Sequence, residues 1–108
     1  MGGVAALLHL DGRPVEPSTL GAMVAMLRRR GPDGEGVQLE GSAGLGHTAL
    51  HSTPEAAGEP QPLARDGVVV AADARLDNRE ELSRELALPP ATGDAGLIAA
   101  AYQRWGEL

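Results

Sequence analysis

Two histidines four residues apart, His47 and His51, are the first place in this sequence where chemistry could sit. On a helix they would present two imidazoles to one metal ion, but "GLGHTALH" reads as a strand. There, i and i+4 share a face about 13 Å apart, too far for one ion, and no metal site is expected. Asp73, Asp77 and Asp94 could supply a carboxylate pair for acid–base work. Two of them fall where helix caps are expected, and capping accounts for them. The stretch "GPDGEG" follows a helix and orders its glycines as G-x-x-G-x-G, not as a dinucleotide fingerprint, so it reads as a turn. "GSAGLGH" lacks the Gly-Lys-Ser/Thr that completes a phosphate loop and reads as a hairpin. Residue types and spacing alone give no convincing catalytic set.

Composition narrows the classes further. The chain has 108 residues, the size of one domain, and 43% of them are hydrophobic, enough to fold. It has no Phe, one Tyr and one Trp, so Ala, Leu and Val must fill the core. Small side chains bury little area each, and stability should be marginal unless something covers the domain. Net charge is −6, and all nine basic residues are Arg. One basic triplet, Arg28-Arg29-Arg30, in an acidic chain argues against nucleic-acid binding; it is expected to close a helix, where cations meet the negative pole. Without Lys there is no Schiff-base or P-loop lysine, and without Cys no disulfide, thiolate–metal site or cysteine nucleophile. The opening "MGGVAALLHL" lacks a basic n-region, and Ala6 stands where myristoylation wants Ser or Thr. No apolar run approaches the roughly 20 residues of a membrane span, so a cytoplasmic protein away from membranes is expected.

These residues need elements to hold them. Gly3–Leu10 reads as a strand buried on both faces, ended by Asp11-Gly12. Pro17-Ser18 open a helix with Leu20, Met23, Val24 and Leu27 inward, closed by the Arg triplet and stopped by Gly31-Pro32. Strands follow at Gly36–Glu40 and Gly44–His51, then a Pro- and Glu-rich loop from Thr53 to Pro62. Asp66-Gly67 turns into a strand over Val68–Ala72. Asn78 with Glu81 resembles a capping box for a helix carrying Leu82 and Leu86, broken by Pro89-Pro90. A last helix opens at Thr92 or Gly93, with Leu97, Ile98, Ala101, Tyr102 and Trp105 inward and Gly106 as its stop. This order is α+β rather than repeating βαβ, in one domain.

Four segments together resemble a known family: "MGGVAALLHLDGRPV", "LRRRGPDGEGV", "GSAGLGHTAL" and "GDAGLIAAAYQRWGE". In order and spacing they look like the N-terminal half of asparagine-synthetase-like proteins, a class II glutamine amidotransferase domain of the N-terminal nucleophile hydrolase fold. The most specific part is Arg30-Gly31-Pro32-Asp33-Gly34 followed by Gly44-Leu45-Gly46-His47. The resemblance spans residues 1–108 and implies part of an αββα sandwich with antiparallel sheets and flanking helices. It also implies a truncated domain, with an ATP-dependent synthetase domain expected downstream and an apolar edge where strands are missing.

Carried over residue by residue, the resemblance implies a silent glutaminase. The family begins Met-Cys-Gly, and that Cys attacks the glutamine amide with its own α-amino group as base; here the position is Gly2. The Arg that holds the glutamine carboxylate, two residues after the Gly-His motif, is replaced by Ala49. The family's oxyanion segment Asn-Gly-Glu-Ile-Tyr-Asn reads Asp73-Ala74-Arg75-Leu76-Asp77-Asn78, and a carboxylate at Asp73 would repel a developing oxyanion. Asp94 matches the aspartate that takes the substrate α-amino group. The vestigial pocket is thus Ala49, Asp73, Ala74 and Asp94, with no catalytic residue and no cofactor in this chain. Relatives of this kind resemble lasso-peptide cyclases and β-lactam synthetases, whose second domain adenylates a carboxylate with ATP and Mg²⁺. "HSTPEAAGEPQPL" and "ADARLDNREEL" look most like the lasso cyclases. The implied partners are the synthetase domain and a precursor peptide. A glutamine-hydrolysing asparagine synthetase with an altered pocket and a stand-alone binding module are the alternatives.

Overall fold

A computed structural model describes residues 2–107; Met1 and Leu108 lie outside the described residues. Strand β1 (Gly2–Leu8) and helix α1 (Pro17–Ala25) are followed by β2 (Gly34–Glu40), β3 (Ala43–Ala49) and α2 (Pro54–Ala57). Then come β4 (Leu63–Arg65), β5 (Val68–Val70), α3 (Arg79–Glu85) and α4 (Asp94–Trp105). One antiparallel sheet runs β1-β3-β2, with Gly2 opposite Ala49 and Gly34 opposite Ala49 on its other side. The second is the β4–β5 hairpin. The fold is α+β, as the order of elements predicts.

Helix α1 starts on Pro17, whose fixed φ suits the first helical position. It buries Leu20 and Val24, one turn apart, against the sheet, where they join Ala5 and Val15; Leu7, Met23, Leu27 and Leu39 pack around them. Close approach depends on glycine. A Cβ on Gly44 would come within 2.9 Å of Leu20 Cδ2, and one on Gly46 would collide with Val24 Cγ2. The Gly44-Leu45-Gly46 pattern is therefore the footprint of α1 on β3.

The other face of the sheet is only partly covered. Gln61 and Ala72 flank the β4–β5 hairpin; a Cβ on Gly36 would meet the Gln61 carbonyl, and His47 hydrogen-bonds to the Ala72 backbone. Helix α4 packs on both β4 and β5 from beyond. This cover does not reach the outer side of β1, and that corrects the expectation of a strand buried on both faces. Gly3 and Ala5 are buried, while Val4 and Leu8 are 40% and 61% exposed and Leu10, past the strand, is 94% exposed.

Other differences have local causes. Helix α1 ends at Ala25, and bonds such as Leu27 N–H to Val24 O (2.9 Å) and Arg30 N–H to Leu27 O (2.9 Å) tighten the chain into turns. The Arg triplet lies in those turns, not in the helix, so its guanidiniums reach across the fold. Arg28 makes a bidentate pair with Glu35 at 3.0 Å for each bond. That pairing raises the Arg28 pKa and lowers that of Glu35. Strand β5 stops at Val70, because Ala72 N–H leaves the ladder for Gln61 Oε1 at 2.8 Å. The Thr53–Pro62 loop holds the one-turn α2, capped by Thr53 Oγ1 accepting from Ala56 N–H at 3.2 Å. Asn78 sits at φ −100° and ψ 36°, outside extended N-cap geometry, and the capping box does not form. Leu97 is fully buried on α4, but Tyr102 and Trp105 are about half exposed, with Arg104 over the indole at 5.5 Å. Gln103, also exposed, donates to the carbonyls of Arg65 (3.3 Å) and Asp66 (3.1 Å). The Asp66-Gly67 turn is as expected: both residues have positive φ, 48° and 83°, as a two-residue hairpin requires.

Candidate functional site

The end of β3 is where the chain crowds most. Gly31, Pro32 and Asp33 run beside it: Pro32 bridges to Ala49, Asp33 N–H donates to Ala49 O at 2.8 Å, and Asp33 Oδ2 accepts from His51 N–H at 2.8 Å. A Cβ on Gly31 would lie 2.5 Å from Ala49 N, so only glycine permits this approach. Thr48, fully buried, donates its hydroxyl to Leu27 O at 3.1 Å and ties the turns after α1 to β3.

Gly2 lies on the opposite side of the same strand end. A Cβ there would collide with the Thr48 carbonyl oxygen and come within 3.0 Å of its carbon and 3.4 Å of Ala49 Cα. Gly2 thus has no side chain, and its surroundings leave no space for a Cβ. Its backbone is clamped: Gly2 N–H donates to Asp73 Oδ1 at 2.9 Å, and Gly2 O accepts from Arg30 Nε at 3.0 Å. Arg30 Nη2 closes the ring to Asp73 Oδ2 at 3.2 Å.

Beyond this clamp opens a cleft of about 540 Å³. Its walls come from the end of β3 (His47, Ala49), the Leu50–Ala56 stretch, the Ala72–Asp77 segment, and the starts of α3 and α4. The structure brings Ala49, Ala74 and Asp94 together here, whereas Asp73 turns away to the Gly2 clamp. Asp94 does not cap α4; Arg79 Nη2 pairs with it directly, and Arg79 Nη1 donates to Thr92 O at 2.6 Å. Asp77 makes an exposed pair with Arg75 at 3.3 Å rather than a cap. His47 and His51 both line the cleft, but β3 ends at Ala49, so His51 sits in the exposed loop and the two do not share a strand face. His47 is only 6% exposed; burial pushes its pKa below the ordinary imidazole value, against the opposing pull of the Ala72 backbone and Asp73. It is a neutral imidazole near pH 7.

Two further residues shape the cleft and carried no sequence signal. Glu59 sits in a loop whose composition marks it only as polar, and Arg79 in a helix start. Glu59 Oε2 accepts from Gly93 N–H at 2.9 Å and Oε1 from Gly96 N–H at 3.1 Å, so the carboxylate seats on the N-terminus of α4. The site therefore offers carboxylates and guanidiniums already paired, a neutral buried imidazole, and small apolar walls. Among the described residues no group of three or more His, Asp or Glu side chains is disposed to hold a metal ion, and no helix is long and apolar enough to cross a membrane.

No curated protein and no solved structure matches the chain. A family model described as a glutamine amidotransferase domain matches residues 1–108, the whole chain that carries the clamp, the cleft and the Gly31–Ala49 crossing. The chain belongs to the glutamine amidotransferase domain family.

Proposed function

We propose that this chain is a glutaminase-silent amidotransferase domain serving an asparagine-synthetase-like, ATP-dependent amide-forming ligase, of the kind that closes a lasso peptide through an isopeptide macrolactam. The observation that carries the silent part is Gly2. It has no atom to form a thioester with glutamine, and the Thr48 carbonyl occupies the space where a Cβ would stand. Two features of the cleft support the same reading. Ala49 offers no cation to an α-carboxylate, and Asp94 is already neutralised by Arg79. The uncovered row of Val4 and Leu8 on β1 suits a domain shielded by further chain, and in this reading the residues after Leu108 supply that cover and then a synthetase domain. That downstream domain binds ATP and Mg²⁺ and activates the carboxylate, with a precursor peptide supplying both reacting groups, in the cytoplasm. The present chain holds no part of that chemistry and acts as a buttress.

The test has two readouts. Incubated with L-glutamine, the chain releases no glutamate above the uncatalysed background, and measurable turnover would overturn the silent assignment. Sequencing the reading frame past Leu108 finds a Ser-Gly-Gly-x-Asp-Ser loop; a stop codon there removes the ligase and leaves a binding module.

A further inference from the structure

Strand β1 is an edge of its sheet, and the alternation of an antiparallel ladder divides its residues into two sets. His9 N–H bonds to Ser42 O at 2.9 Å in the register of the ladder, so the odd residues turn their N–H and C=O groups to β3. The even residues turn theirs outward along the sheet. At Gly2 the clamp of Arg30 and Asp73 takes both outward groups. Val4, Ala6 and Leu8 follow, and among the described residues no strand lies beyond them. The same three carry exposed apolar side chains. Sheet edges are commonly blunted by charge, and the other edge, β2, carries Glu35 and Glu40. From Gly2 to Leu8, β1 has no charged or polar side chain. A cover laid over the face of the sheet, as in the proposed function, does not satisfy groups that point along it.

We propose that β1 is a self-pairing edge, to which a second copy of this chain adds its own β1 antiparallel and centred on Ala6. This goes beyond the proposed function and does not depend on it. The outward set fixes the register. With Ala6 opposite Ala6 of the second copy, Val4 meets Leu8 and Leu8 meets Val4, and each pair exchanges two hydrogen bonds. A slip of one residue sets these groups against residues already bonded to β3. The side chains then form one apolar row across the seam, on the face of Leu45 and Ala43, which stand opposite Ala6 and Leu8 within one copy. Charge favours the same arrangement. Past the seam Gly2 meets Leu10 of the second copy, and Asp11 follows beside Arg30, both of them exposed ions. The two-fold axis makes that contact twice. With a net charge of −6, two copies repel except where the uncharged strands meet and Arg30 faces Asp11. The pairing closes at two copies, because each spends its one unblunted edge.

The experiment is sedimentation velocity on the full chain over about 1–500 μM, a range suited to a short interface at the weak end of the scale. Backbone amide exchange is measured at both ends of the range. The weight-average mass rises toward twice that of the monomer. Exchange at Val4, Ala6 and Leu8 slows at least about fivefold on concentration, while Gly3, Ala5 and Leu7, already bonded to β3, change far less. Ala6→Glu and Ala6→Lys, at an exposed side chain, place like charges across the axis and each weaken association at least about tenfold. Mixed in equal amounts, the two variants pair again. A monomer throughout the range, growth beyond two copies, or concentration-dependent protection outside β1 overturns the proposal. So does a dimer that Ala6→Glu leaves intact. A dimer abolished by Tyr102→Ser/Trp105→Ser, with the Ala6 variants still associating, assigns the contact to α4 and overturns it equally. If the Ala6 variants do not fold, the exchange pattern of the native chain decides. None of these outcomes touches the silent assignment, whose readout is glutamate release.

Discussion

If the proposed function holds, a cysteine at position 2 is the intuitive repair, and the structure predicts that it fails. The Cβ of any side chain at Gly2 would overlap the Thr48 carbonyl and crowd Ala49 Cα at 3.4 Å. Neither neighbour is a flexible side-chain end. Thr48 is fully buried and anchored to Leu27 O, and the Gly2–Ala49 pairing sets the first rung of the β1–β3 ladder. The strand end must therefore shift as a unit, and overpacking of this kind costs about 1–3 kcal/mol. The shift also loosens the Gly2 N–H bond to Asp73, worth about 1 kcal/mol as a bond to a charged group that is partly solvated. At about 4–8 °C per kcal/mol for a domain of this size, a central cost of about 2 kcal/mol lowers the midpoint by roughly 8–16 °C. The assay pairs thermal melts of Gly2→Ala and Gly2→Cys with glutamate release from L-glutamine. Gly2→Ala isolates the steric cost, and Gly2→Cys adds the thiol without restoring hydrolysis. A Gly2→Ala protein melting within a degree of the parent, or a Gly2→Cys protein that turns over glutamine, would refute the reasoning.

The other perturbations test the packing and the cleft. Gly46→Ala should lose about 1–3 kcal/mol by urea titration, because the new methyl meets Val24 Cγ2. In a double-mutant cycle with Val24→Ala the two changes should compensate, and simple additivity would count against the contact. Gly21 lies in α1 with open space around its Cβ position, so Gly21→Ala should gain about 0.5–1 kcal/mol, read as a higher melting midpoint. Ser83 is buried on α3 with its Oγ unpartnered, and Ser83→Ala should be neutral or stabilising in the same melt. The depressed pKa of His47 sets a pH dependence. The unfolded chain takes up the His47 proton near pH 6.5 and the folded chain only below that, so its contribution is full above about pH 6.5 and drains away as pH falls toward the folded value. Urea midpoints measured from pH 7.5 down to 5 should show this loss in the parent and a flatter profile in His47→Gln.

Legibility in the sequence followed how local each determinant was. Helix α1, the three long strands and the Asp66-Gly67 hairpin were readable because periodicity and turn chemistry act within a few residues. The Arg triplet was misplaced because helix propensity does not report where the last i→i+4 bond is made; the partners are Glu35, seven residues on, and Gly2 O and Asp73, 28 and 43 residues away. Tyr102 and Trp105 were read inward by type, but the last turn of α4 is exposed and meets the fold through Gln103, which donates to the hairpin carbonyls. In the cleft, Ala49, Ala74 and Asp94 were found together through the family resemblance, not through spacing. Glu59 and Arg79 were invisible, since an ordinary acid in a loop and an ordinary base at a helix start come to line the cleft only when α4 brings Gly93, Gly96 and Asp94 to them.

The residues that carry the family resemblance most specifically do steric rather than chemical work. Gly31 lets the chain pass against Thr48 and Ala49, and Gly44 and Gly46 let α1 settle on β3. These are demands of the scaffold, and they persist whatever the cleft does. In the proposed function the positions that would bind and attack glutamine are a different set, and there Gly2 has no room for a Cβ, Ala49 is uncharged and Asp94 is paired with Arg79. A match to the family therefore reports that the scaffold is kept, and by itself it carries no statement about turnover. Scaffold and pocket can be separated by experiment because they fail differently. Substitutions at Gly44 or Gly46 should lower stability without opening the cleft. Those at Glu59 and Arg79 should loosen the start of α4, which both side chains hold, while the sheet and α1 stay in place.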